Sequence, residues 1–120
     1  MKKNSVNRNA RLRGGRAEAL LLSQLIEQGY EARRTHLSAF PDIIAWDAEH
    51  IFFIEVKARS DKPKAVSNAL SNFRASAKTM QFVPKSGTVL CYVRLNGAWS
   101  AYEWRDNTTK QIEPIVFEER

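Results

Sequence analysis

The sequence predicts an α/β domain with a mixed central β-sheet flanked by helices, in the order α-β-β-β-α-β-β. Three observations carry the prediction. Two segments repeat apolar residues with helical spacing, five short segments read as strands, and the second helix divides the strands into two groups. The chain has 120 residues, a length that suits one domain with a small core. The reading divides it into a basic flexible arm, residues 1–13, and a single domain, residues 14–120.

The arm lacks apolar periodicity, and Gly14-Gly15 marks its end. A helix over 16–28 follows, with Leu21, Leu22, Leu25 and Ile26 on one face and Gly29 as its C-terminal stop. Residues 30–35 read as a strand and 36–40 as a loop. A second strand covers 42–46, and Asp47-Ala48-Glu49-His50 forms a turn. Residues 51–58, Ile-Phe-Phe-Ile-Glu-Val-Lys-Ala, are apolar on both faces, as in a central strand covered on both sides. The second helix covers 65–80, with Val66, Leu70, Phe73, Ala77 and Met80 on one face. Strands at 88–95 and 98–104 flank an Asn96-Gly97 hairpin turn. The apolar residues of 112–117 suggest packing on a partner subunit.

Charge is unevenly placed. Six of the nineteen Lys and Arg residues precede Glu18, the first acid, and the other thirteen match the thirteen acids. The net charge of +6 is therefore concentrated in residues 1–16. A second basic stretch holds Lys57, Arg59, Lys62, Lys64, Arg74, Lys78, Lys85 and Arg94, with only Asp61 opposing. Localised positive charge points to a polyanion, most commonly nucleic acid; a solvated basic arm is the plainer alternative. No run of eighteen apolar residues suggests a membrane span, and no apolar segment follows the basic start as a secretory signal requires. A single cysteine, Cys91, offers no intramolecular disulfide and no Cys-based zinc site, which suits a reducing compartment.

Four residues invite a chemical reading. Glu18 falls in the middle of an apolar helix face, where a carboxylate needs a partner; an acid that favours the helix dipole is the alternative. Glu55 and Lys57 lie two apart on a strand and share a face, either as a structural ion pair or as a site. Asp42 opens the preceding strand. Antiparallel pairing about the intervening turn brings it near both, although aspartates at strand edges are common. Two carboxylates beside a lysine make a hard-oxygen site that suits Mg²⁺ or Mn²⁺ and lacks the nitrogen and sulfur donors zinc prefers. Such ions neutralise phosphodiester charge and activate water, while the lysine orients or deprotonates that water. His36 and His50 have no partner at ligand spacing. Trp46, Trp99 and Trp104 read as packing residues, Trp99 in the core or a dimer contact, and Cys91 as a buried small residue.

Pro41-Asp42, followed after twelve intervening residues by Glu55-Val56-Lys57, resembles the PD-(D/E)-x-K nuclease signature, whose members share a restriction-endonuclease-like core. With Arg13-Gly14-Gly15-Arg16-Ala17-Glu18, Gly29-Tyr30 and Arg34, residues 13–60 resemble the archaeal-type Holliday junction resolvases, a family that also occurs in some viruses. That resemblance implies a cytoplasmic, intracellular homodimer that cuts branched, four-way DNA junctions with Mg²⁺, for which Mn²⁺ substitutes. It implies Glu18, Asp42 and Glu55 as metal carboxylates, the Val56 carbonyl as a further ligand, and Lys57 as the catalytic lysine. Arg34 and Ser38 would lie near the scissile phosphate, and Arg8, Arg11, Arg13 and Arg16 would hold junction phosphates. The family usually carries a glutamine early in the second helix. Here Val66 aligns with it, and Ser67 and Asn68 are the nearby polar residues. Two other readings remain open: a repair or restriction-like nuclease with the same site, and a non-catalytic DNA-binding module, whose affinity would ignore chelation. A pure binder has no need of carboxylates facing an anionic polymer.

Overall fold

Side-chain alternation along the central strand decides the layering. Successive strand residues face opposite sides of a sheet, so Phe52, Ile54, Val56 and Ala58 face one layer, and Phe53, Glu55 and Lys57 the other. The computed structural model describes residues 2–35, 40–60 and 62–115, with the backbone alone for residues 2–14. It contains α1 (Lys2–Glu27), β1 (Glu31–Arg34), β2 (Ile43–Trp46), β3 (Ile51–Arg59), α2 (Pro63–Ala77), β4 (Gly87–Leu95), β5 (Ala98–Arg105) and β6 (Thr108–Ile112). The strands form one sheet in chain order. Among the described residues β3 and β4 pair in parallel and the other pairs are antiparallel. A parallel pair needs a crossover, and α2 supplies it. The expected mixed sheet, with a helix on each face, is the architecture of the chain.

The two layers have separate cores. Ala17, Leu21 and Leu25 of α1 pack over Ala32, Ile43, Ala45, Phe52, Ile54, Val56 and Tyr92. On the opposite face, Phe73 and Ala77 of α2 pack over Val89, Cys91 and Val93. Cys91 is buried, as expected for a small apolar residue. Trp99 belongs to the α1-side core, meets Tyr92 edge-on at 5.7 Å, and donates its indole N–H to Gln24 Oε1 at 2.7 Å.

Gly29 ends α1, as the sequence predicts. Its φ of +98° suits a residue without Cβ. The Tyr30 N–H reaches the Leu25 carbonyl and the Gly29 N–H the Ile26 carbonyl, the bond pair of a Schellman ending. The start of α1 differs from expectation. The helix begins at Lys2 and runs through Gly14 and Gly15, so no break in the backbone separates residues 1–13 from the domain. Glycine inside a helix lowers its stability by about 1 kcal/mol relative to alanine; it does not by itself terminate it.

The sheet also has a strand the sequence reading lacks. Asp106 and Asn107 adopt φ of +52° and +61°, forming the same kind of two-residue turn as Asn96-Gly97. Thr108–Ile112 therefore folds back on β5. This edge strand is too polar to announce itself by apolar alternation. The segment after β6 returns to the body of the domain. Ile112 and Ile115 pack, partly buried, against the chain's own α1-side core, and the Ile115 N–H donates to the Tyr92 hydroxyl at 2.8 Å. Val116 and Phe117 lie outside the described residues.

Leu25 is fully buried between α1 and the sheet. Leu25→Ala should destabilise the fold by about 2–5 kcal/mol, read as a lower urea midpoint. A change under ~1 kcal/mol would place α1 off the sheet.

Candidate active site

Asp42 is held from both sides before its side chain is considered. Its carbonyl accepts the Thr35 N–H at 3.0 Å, and its own N–H donates to the Ile54 carbonyl at 2.9 Å. The Thr35 hydroxyl donates to the Pro41 carbonyl at 2.6 Å. Phe40 leans on Phe73 of α2, with ring centroids 6.4 Å apart. Register Ile43↔Ile54, continued by one residue, sets Asp42 opposite Glu55. Asp42 Oδ2 then accepts the Val56 N–H at 2.8 Å. The carboxylate thus takes a β3 donor just beyond the end of the β2 ladder.

Glu55 lies between β3 and α2. Among the described residues it is the one buried charged side chain, at 7 % exposed. Lys57 Nζ stands 3.9 Å from its Oε1, and the Ser76 hydroxyl donates to the same oxygen at 3.4 Å. The other oxygen, Oε2, is buried with no hydrogen-bond partner among the described residues. Burial pushes the Glu55 carboxyl above its ordinary range; Lys57 pulls it down, and the negative charge of Asp42 raises it again. Burial likewise raises Asp42, opposed by the Val56 hydrogen bond and by the Lys57 and Arg34 charges. Desolvation disfavours the charged form, and here it outweighs two cations. Cys91, opposite Glu55 in the β3–β4 register, has its thiol pushed well up, chiefly by burial and then by Glu55.

Glu18 has the partner that its apolar face called for. Arg34 Nη2 donates to Glu18 Oε1 at 3.1 Å, joining α1 to β1 with both side chains mostly shielded. The Arg34 Nε is buried without a hydrogen-bond partner among the described residues. The structure therefore brings Asp42, Glu55 and Lys57 together, and places Glu18 against Arg34, whose charge also acts on Asp42. Arg16 is exposed on α1. The side chains of Arg8, Arg11 and Arg13, and all of Ser38, lie outside the described residues.

Ser76 is the site residue the sequence reading missed. Ser67 and Asn68, the expected polar substitutes on the second helix, are exposed. Ser76 reaches Glu55 because it follows Phe73 by three positions, next to the buried stripe Ala69–Phe73–Ala77, and three-apart residues share a helix face. The early part of α2 lies away from Glu55 because a crossover helix runs antiparallel to the strand before it.

The donors present fit a hard divalent cation. Glu55 Oε2 is a buried carboxyl oxygen without a hydrogen-bond partner among the described residues, and Asp42 supplies a second carboxyl group. In a strand the N–H and C=O of one residue leave the same edge. Since the Val56 N–H meets Asp42, its carbonyl emerges on that edge too. Among the described residues no group of three His, Cys, Asp or Glu side chains gathers as a metal cluster, so the set is two carboxylates and a carbonyl. Oxygen-only donors leaving room for water suit Mg²⁺. A surface pocket near His50, Lys85, Trp104 and Arg105 contains none of these residues.

No helix among the described residues is long and apolar enough to cross a membrane. No family model matches the sequence, and no curated protein matches it. Among solved structures, the chain is similar to Archaeoglobus fulgidus Hjc, a Holliday junction resolvase from an archaeal hyperthermophile. The similarity covers 87% of this chain and 86% of that one, at 23% identity and a TM-score of 0.49.

Proposed function

We infer that the protein is a Mg²⁺-dependent DNA endonuclease of the PD-(D/E)-x-K type that resolves four-way junctions as a homodimer. The observation that carries the nuclease reading is Glu55: a buried carboxylate with one oxygen unpaired, beside a second carboxylate and a lysine. Stability gains little from such a group, because the desolvation of a buried ion pair offsets its attraction. A divalent cation offsets that cost and turns the cluster into a device. The junction and the dimer rest on the signature and its neighbours, Gly14 to Glu18 and Arg34.

Asp42, Glu55 and the Val56 carbonyl would hold the ion. When bound, the ion supplies charge neutralisation at the scissile phosphate and an acidified water. The protein's own groups do the rest. The Val56 N–H fixes one Asp42 oxygen and so aims the other. Ser76 and Lys57 share Glu55 Oε1, leaving Oε2 for the ion. Lys57 stands where its ammonium can donate to a phosphate oxygen or orient the attacking water. Arg34, paired with Glu18, adds positive charge that acts on Asp42 and would favour a phosphate nearby.

The deciding experiment uses a four-way junction, a linear duplex and a single strand, each with purified protein and Mg²⁺ beside Asp42→Asn. The expected result is paired symmetric nicks in the junction, abolished by the substitution and by chelation. Lys57→Ala should slow cleavage about a hundredfold or more. Cutting of duplex and single strand alike would remove the junction claim. Binding without cutting in Mg²⁺ or Mn²⁺ would remove the nuclease.

Stability gives an independent check. A carboxyl with a raised folded-state pKa binds its proton more tightly folded than unfolded. Folding stability is then greatest below the unfolded value, 4.5 for glutamate, and falls as pH rises through the folded one. Glu55→Gln should therefore raise the melting temperature of the metal-free protein at neutral pH, with the gain shrinking toward acid. A lower melting temperature at neutral pH would identify Glu55 as a structural partner of Lys57.

A further inference from the structure

The solvent face of α2 is chemically unusual. Lys64, Ser67, Asn68, Ser71, Asn72 and Lys78 are all exposed, and their spacing puts them in one row along the helix. The row spans about 21 Å at ~1.5 Å per residue. No acid occurs between residues 62 and 102, and none occupies the first turn of α2. A helix face that served only solvation would favour Glu, Lys, Gln or Ala, which are better helix formers than Ser and Asn. An acid in the first turn would also favour the helix dipole. Between Lys64 and Lys78 this face carries Ala75 and four short, neutral hydrogen-bonding side chains, Ser67, Asn68, Ser71 and Asn72, and no acid.

We propose that this row is a nucleic-acid backbone track: Ser67, Asn68, Ser71 and Asn72 donate to phosphate and sugar oxygens of a DNA strand, with Lys64 and Lys78 holding its charge at either end. Backbone contacts of this kind come from Ser, Asn and Lys side chains and position a duplex without reading its sequence. The absence of carboxylates makes the face complementary to a polyanion along its whole length. The track lies on the face of α2 turned from the sheet, while Ser76 on the inner side of the same helix donates to Glu55, so the helix fixes the distance between the two. A strand seated on the track is thereby referenced to the carboxylate. The inference rests on the nuclease reading for its ligand, but concerns a surface that reading does not use.

The two kinds of side chain leave different signatures in salt. Lysines on phosphates release counterions and steepen the fall of affinity with salt; neutral donors add affinity without altering that slope. The test measures binding of the full-length protein to a fluorescein-labelled four-way junction by anisotropy, without divalent metal, across a sodium chloride series. The variant Ser67→Ala/Asn68→Ala/Ser71→Ala/Asn72→Ala should bind about tenfold more weakly at every salt concentration, with the slope unchanged. Alanine is the better helix former, so its melting temperature should not fall, which excludes unfolding as the cause. Lys64→Gln/Lys78→Gln should lower the slope by about two. Affinity equal to wild type in the quadruple variant, or an unchanged slope in the double variant, overturns the track. A change of oligomeric state in the quadruple variant would also overturn it, marking the face as a contact between copies. Wild-type cleavage measured in parallel separates the two claims. Cleavage with an indifferent α2 face removes the track alone. Weakened binding in both variants without wild-type cleavage removes the nuclease and keeps the track.

Discussion

One hydrogen bond organises the Asp42–Glu55 end of this sheet: the Val56 N–H to Asp42 Oδ2, at 2.8 Å. β2 pairs with β3 only as far as Ile43↔Ile54, whereas β3 continues to Arg59. A strand that outlasts its neighbour exposes backbone donors and acceptors that need partners. Here the first such donor is taken by a carboxylate, which places that carboxylate opposite Glu55. Had β2 begun a residue earlier or later, every side chain on it would have changed face. Asp42 would then have pointed into the α1-side core. The clamp from Thr35 and Ile54 on the Asp42 backbone prevents that slip.

The second constraint is the parallel pairing of β3 with β4. It requires α2 to cross over the face that carries Phe53, Glu55 and Lys57, and so it buries Glu55. Phe73 and Ala77 fill the layer between helix and sheet, and Ser76, one residue before Ala77, meets the carboxylate. Burial raises both carboxyls against the pull of Lys57 and Arg34. The fold thus stores an unfavourable charge pair where its apolar packing is best, a local conflict of the kind that marks functional sites. On the other face Glu18 has the opposite fate: its charge is matched by Arg34, and the pair joins α1 to β1. The two acids differ in environment and not in residue type, so a list of carboxylates would not separate them.

Much of this was legible in the residues. The two-sided apolar run of β3, the Asn96-Gly97 turn, the Gly29 stop and the nearness of Asp42 to Glu55 and Lys57 all follow from local rules: period two along a strand, φ preferences of glycine and asparagine, and antiparallel return after a short turn. Other features were not. β6 is a polar edge strand whose only signal is the Asp106-Asn107 turn. Gly14-Gly15 reads as punctuation, because glycine is penalised in helices on average, yet α1 passes through it. Ser76 is invisible until the crossover direction of α2 is known. Ile112 and Ile115 suggest packing on a partner subunit, and only the return of β6 shows them against the chain's own core.

The sequence by itself determined the periodicities, the uneven charge and the identity and spacing of Asp42, Glu55 and Lys57, because these depend only on residues near one another along the chain. The tertiary structure alone decided which charges are buried, which acid is paired with a cation, and which helix residue reaches the site. Those outcomes are set by contacts between residues far apart in the chain, such as Ser76 with Glu55 and Arg34 with Glu18. No local rule carries the desolvation and pairing that make one carboxylate a tie between elements and leave another buried with an unpaired oxygen.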